Sequence, residues 1–223
     1  MSDFAKARRN MIESQIRPGG VIDLKVIAAM AEVPREAFVP EDQRDHAYID
    51  EDLFIGNDGQ GAPRYLMEPM TFARMLQLAE IHHDDCALDV GCATGYSTAV
   101  LSRIAQSVIG LERDDALAAR AGETLEALGY TNAAVVQGAH DEGLAKEAPF
   151  DVIIINGRIE TTPETLLSQL KDLGRLVAVF GPEHAARIRV WTRRGDAVSF
   201  VDEHDAAVPA LPGFARAEPA FAF

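Results

Sequence analysis

Five short apolar runs, separated by segments long enough for helices, constrain this chain more than any other feature. The runs lie at 87–90, 108–111, 134–136, 152–155 and 176–180, and segments 96–104, 114–128 and 163–170 fall between them. Strands that are apolar throughout, without polar alternation, are buried on both faces, which is the habit of a parallel sheet covered by helices. Two further runs, 186–191 and 197–201, flank Arg193-Arg194-Gly195 and fit an antiparallel hairpin at the sheet edge. Before residue 85 the pattern reads as helices and loops. A helix over 4–16 ends at Pro18-Gly19-Gly20, a second over 24–32 takes Asp23 as its N-cap, and a third over 69–81 has Pro69 in its first turn. The expected architecture is α/β: a Rossmann-like, doubly wound, mostly parallel sheet with helices on both faces, a C-terminal antiparallel hairpin and a helical N-terminal cap. We expect one domain over 1–223, with the cap and a substrate loop in 1–84 and the ligand-binding α/β core in 85–223.

A core built from 223 residues buries roughly 70% of the unfolded chain's surface. Lys and Arg number 21 against 35 Asp and Glu, a net charge of −14. That balance argues against non-specific nucleic-acid binding and against binding to anionic membranes, both of which need a basic surface. Two cysteines, Cys86 and Cys92, make neither a disulfide framework nor a four-thiolate zinc site, and no metal site is expected. No run approaches the ~20 apolar residues of a membrane span, and residues 1–11 lack the apolar stretch of a signal peptide. The expected location is cytoplasmic; oligomeric state is not legible.

The most informative stretch is Leu88-Asp89-Val90-Gly91-Cys92-Ala93-Thr94-Gly95-Tyr96-Ser97, a strand entering a small-residue turn that opens a helix. Glycines there let a ligand approach the backbone, and a helix N-terminus offers unpaired N–H donors. The spacing matches neither the dinucleotide G-x-G-x-x-G nor a phosphate loop. Acidic Asp89 disfavours pyrophosphate and favours a cationic, amino-bearing ligand; S-adenosylmethionine, with its sulfonium and ammonium, has that character. Glu112, at the end of the second run, is placed to accept both ribose hydroxyls.

Several blocks resemble the protein-L-isoaspartate O-methyltransferase family, class I S-adenosylmethionine-dependent enzymes, over nearly the whole chain. They are Arg9-Asn10-Met11-Ile12-Glu13-Ser14-Gln15-Ile16, Val33-Pro34-Arg35-Glu36-Ala37-Phe38-Val39-Pro40, Ala47-Tyr48-Ile49-Asp50, Gly59-Gln60-Gly61, the Pro69 helix, the Asp89 turn and Ala148-Pro149-Phe150-Asp151. The resemblance implies methyl transfer to the α-carboxylate of isoaspartyl residues in damaged proteins, so that the partner is a protein or peptide substrate. It implies a cofactor site formed by Asp89, Gly91, Cys92, Ala93, Thr94, Gly95, Tyr96, Ser97, Glu112 and Arg113, lined by Gly138 and Ala139. Asn156 is expected on the reaction side.

Four departures stand out. Leu66-Met67-Glu68-Pro69 replaces the family's Ile-Ser-x-Pro, so Met67 stands where the active-site serine belongs. The preceding loop is rebuilt with Pro63, Arg64 and Tyr65. Gly138-Ala139 replaces Gly-Asp, removing a carboxylate for which Asp141 is a candidate substitute, and Asn156-Gly157-Arg158-Ile159 replaces Thr-Ala-Ala-Pro. A thioether donates no hydrogen bond. Arg64 or Arg158 is therefore the candidate to grip the acceptor carboxylate. A different acceptor, or cofactor binding without turnover, remains open. The bland readings are a packed small residue for Cys92, an apolar wall for Met67 and a solvated turn for His82-His83. The tail residues Leu211, Phe214, Phe221 and Phe223 are expected to dock on the cap or on a partner chain.

Overall fold

The computed structural model describes residues 3–214. Its main sheet has seven strands: β3 (Cys86–Val90), β4 (Ser107–Glu112), β5 (Ala133–Gln137), β6 (Phe150–Ile159), β7 (Leu170–Phe180), β8 (Arg187–Arg194) and β9 (Ala197–Asp205), in the order β5-β4-β3-β6-β7-β8-β9. The first five run parallel and β8 and β9 are antiparallel, as the sequence pattern predicts. Helices α4 (Tyr96–Ser102), α5 (Asp115–Ala127) and α6 (Glu164–Ser168) follow β3, β4 and β6. Asp114 caps α5 by accepting from Leu117 N–H at 2.8 Å.

Strand periodicity sends alternate side chains to opposite faces. Val152, Ile154, Val177 and Val179 join the cluster under the N-terminal helices α1 (Phe4–Met11), α2 (Leu24–Glu32) and α3 (Pro69–Leu78). Leu88, Val90, Ile153, Ile155, Leu176 and Ala178 face the second cluster with Phe150 and Trp191. Both faces are therefore covered, which is why the runs are apolar without alternation. No helix among the described residues is long and apolar enough to cross a membrane.

The N-terminal part departs from the expectation of helices and loops alone. A two-stranded antiparallel hairpin, β1 (Leu53–Asn57) and β2 (Pro63–Leu66), projects over the carboxyl edge of the main sheet. Its strands are short, Gly56 interrupts the register and Pro63 opens β2, so no run of alternation marks them in the sequence. Helix α3 stops at Leu78 and α6 is only five residues long. The first helix ends at Met11 and continues as a wide turn over Ile12–Ile16.

Candidate active site

Strand β3 delivers the chain into the turn at Gly91, where φ is +74°, and Gly95 follows at φ +93°. Free N–H donors are expected at the N-terminus of α4, where no side chain among the described residues caps the helix; the turn itself spends its N–H groups within the protein. Gly91 and Cys92 N–H both donate to Leu111 O (2.8 and 3.3 Å), and Gly95 N–H donates to Cys92 O (2.8 Å). Ala93 N–H donates to Glu112 Oε2 at 2.9 Å. The turn is stitched to β4 because β3 and β4 end side by side, with Val90 opposite Leu111.

Asp89, expected to face a cationic ligand, lies wholly buried beneath the turn. Its carboxylate accepts from Ser97 (2.7 Å) and Thr98 (2.6 Å) on α4 and from Asn156 Nδ2 (2.5 Å) at the bend of β6. Burial pushes Asp89 up to about 6 against the pull of these bonds. Asn156 thus serves Asp89 and, at 3.3 Å, Val90 O. The remaining turn residues look inward. Thr94 donates to Phe38 O (2.5 Å), the Tyr96 ring packs edge-on to Phe38 and beneath the Arg35 guanidinium, and burial raises the Cys92 thiol well above its ordinary value.

Glu112 closes β4, fully buried, and both of its oxygens are engaged. Arg64 from β2 donates Nη1 to Oε1 (2.5 Å) and Nη2 to Oε2 (2.8 Å). Asp114 N–H adds a bond at 3.1 Å, and His140 Nε2 lies 3.4 Å from Oε1. Burial would lift the Glu112 carboxyl, but His140 and Arg64 outweigh it and hold the group down at about 2. Arg64, expected to meet the acceptor, is instead 2% exposed and committed to Glu112. The hairpin fixes it there. Buried Asp58 accepts Gln60 and Ala62 N–H across the hairpin loop and pairs with the Arg113 guanidinium, while Asp114 accepts Gly59 N–H at 2.7 Å.

The segment after β9 supplies a second cover. Arg158 N–H donates to Pro209 O and Leu211 N–H to Arg158 O, each at 2.9 Å, so residues 209–211 lie beside the bend of β6. Leu211 rests on Gly91 and Gly157, and a Cβ on either glycine would come within 2.7–2.8 Å of the Leu211 side chain. Leu211 and Phe214 therefore dock on the sheet's second cluster, a correction to the expected contact with the cap; Phe221 and Phe223 lie outside the described residues. His140 Nδ1 sits 3.0 Å from Pro212 O, and its Nε2 lies 3.2 Å from Arg113 N. Gly138 N–H donates to Glu112 O (2.9 Å), and Ala139 is exposed, as is Asp141. Arg158 turns its guanidinium to Glu160 and Gly181 O.

Met67 is buried just ahead of α3, and its carbonyl accepts from Arg35 Nη2 at 2.7 Å. Arg35 also donates to Ala47 O (2.7 Å) and is itself fully buried with no carboxylate ion pair among the described residues, so burial lowers its pKa. A small cavity is lined by Asp52, Arg64, Tyr65, Met67, Asn156 and Leu211. Burial pushes Asp52 up to about 6, and its carboxylate accepts Glu68 N–H. Arg35, Asp58 and His140 are site-building residues that the sequence leaves without a role. Arg35 stands in a quoted block, whereas nothing local marks the other two.

The chain matches the family model for protein-L-isoaspartate(D-aspartate) O-methyltransferase over residues 6–211. A protein-L-isoaspartate O-methyltransferase of Roseiflexus sp. (strain RS-1) is 41% identical over 194 residues, covering 87% of this chain and 86% of the relative. One from Koribacter versatilis (strain Ellin345) is 41% identical over 181 residues, 81% of this chain and 79% of that protein. Among solved structures, a protein-L-isoaspartate O-methyltransferase superposes with a TM-score of 0.79 at 23% identity, over 93% of this chain and 67% of that one. A Plasmodium falciparum structure in complex with S-adenosyl-L-homocysteine superposes with a TM-score of 0.76 at 20% identity, over 96% of this chain and all of that one. By sequence over nearly its full length, and by a sheet whose β3–β4 corner carries the glycine turn and Glu112, the chain belongs to the protein-L-isoaspartate(D-aspartate) O-methyltransferase family.

Proposed function

We propose that this chain transfers a methyl group from S-adenosylmethionine to the carboxylate of isoaspartyl residues in protein substrates. The observation that carries the reading is the buried Glu112 carboxylate beside the Gly91–Gly95 turn, in a chain that matches the family over residues 6–211. Glu112 is the acceptor a ribose diol needs, and Gly91 and Gly157 form a floor without Cβ atoms. The framework fits the cofactor; the side chains of Arg64 and Leu211 stand on it and have to withdraw for it to be held. When bound, the cofactor supplies a methyl group activated on a sulfonium.

The protein's part is positioning. An acceptor carboxylate with pKa ~4 is ionised at neutral pH, so no residue has to remove a proton. Orientation alone contributes on the order of 7–11 kcal/mol in well-aligned systems. Arg35 fixes the backbone at Met67, and Asn156, tied to Asp89, fixes the bend of β6 beside it. Incubation with an isoaspartyl peptide and methyl-labelled cofactor tests the proposal. Label is expected in a base-labile ester on the isoaspartyl peptide and not on its aspartyl counterpart; absence of transfer refutes it.

A further inference from the structure

Arg64 stands between two places that call for its charge. On one side it grips Glu112 through both guanidinium nitrogens. On the other it lines the cavity that Met67, Asn156 and Leu211 share. That cavity lies against position 67, where no hydroxyl is available to a carboxylate. Of the other side chains lining it, Tyr65 carries no charge to offer a carboxylate, and the acid Asp52 is engaged with Glu68 N–H. A guanidinium is the side chain best suited to a carboxylate, which it binds through two parallel hydrogen bonds.

We propose that Arg64 exchanges partners: it holds Glu112 while the cleft is closed, and once a nucleoside diol takes Glu112 the freed guanidinium receives the acceptor carboxylate. Leu211 is the second internal occupant and leaves Gly91 and Gly157 in the same opening. The inference rests on the reading given under Proposed function and adds an order of binding, cofactor before acceptor. Linkage makes the two ligands strengthen each other, because each favours the arrangement in which Arg64 is off Glu112. It also makes the closed pair a competitor of the cofactor. If the closed form is populated above ~90%, the apparent Kd is raised at least about tenfold over that of the open form.

The experiment is calorimetric titration of the full chain with S-adenosylhomocysteine, and of an isoaspartyl peptide with and without it. Arg64→Ala is expected to bind S-adenosylhomocysteine at least about tenfold more tightly than the unaltered protein, and to lose the gain in peptide affinity that S-adenosylhomocysteine confers. Leu211→Ala, which leaves the Arg64–Glu112 pair in place, is expected to bind S-adenosylhomocysteine more tightly and to keep that gain. Equal S-adenosylhomocysteine affinity in Arg64→Ala and the unaltered protein overturns the partner exchange, whatever Leu211→Ala does, as does peptide affinity in the unaltered protein that ignores S-adenosylhomocysteine. If the exchange is observed but no protein transfers label to the isoaspartyl peptide, the catalytic reading fails while the exchange stands.

Discussion

Arg64→Met separates a buried ion pair from a surface one by how its effect depends on pH. The thioether side chain keeps an apolar stem but takes both guanidinium donors from Glu112. In the intact protein the fall of the Glu112 carboxyl from 4.5 to about 2 corresponds to about 3 kcal/mol of folding stability. Because the folded value is the lower one, that stability is present above about pH 4.5 and is lost as pH falls toward 2. In the variant, burial is opposed by less, and the folded carboxyl moves up. Stability is then lowest where Glu112 must be ionised and is partly regained on protonation. Removing one partner of a buried pair costs about 3–5 kcal/mol, so the difference between the proteins should be of that size near pH 7 and shrink steadily below about pH 5. Urea unfolding of both proteins at several pH values measures it, and groups such as Asp89 that titrate alike in both cancel. A difference that stays constant with pH, or one below about 1 kcal/mol at neutral pH as an exposed pair would give, refutes the reasoning.

Met67→Ser returns a hydroxyl to the acceptor side; a charge-assisted hydrogen bond of ~1.5–3 kcal/mol predicts roughly a 10- to 150-fold rise in kcat/KM for an isoaspartyl peptide. An unchanged or lower value would take position 67 out of the acceptor site. Arg35→Leu strips the donors from Ala47 O and Met67 O, and leaving two buried carbonyls unpaired should lower Tm by on the order of 10 °C in calorimetry; an unshifted Tm would mean these bonds contribute nothing net. Gly157→Ala places a Cβ 2.8 Å from that of Leu211 at φ +153°, so it should destabilise by about 1–3 kcal/mol. In a Leu211→Gly background the loss should be smaller, and strict additivity would show that the two residues are not in contact.

Much of the architecture was legible because it follows from local periodicity. Apolar runs near 88, 109, 135, 153 and 177 became β3 to β7, and Asp23 caps the helix it precedes. The hairpin at 53–66 was not legible. Its strands are short and interrupted by Gly56, and what holds them is distant in sequence: Asp58 to Arg113, Gly59 to Asp114, Arg64 to Glu112. The site divides the same way. Glu112 could be found because it ends the second apolar run, whereas the engagement of Asp89 with Ser97, Thr98 and Asn156 leaves no trace in residue order.

Sequence alone settled the fold class, the family and the presence of a glycine turn followed by an acid at the next strand end, since each is a matter of residue type and spacing along the chain. Whether that acid is free was decided only by tertiary structure. Burying Glu112 requires a counter-charge, and the folded chain supplies one from a strand 48 residues away, while Leu211 covers the bare glycine floor from the far end of the chain. Charge compensation and close packing act through space, and neither is constrained to residues that are neighbours in sequence.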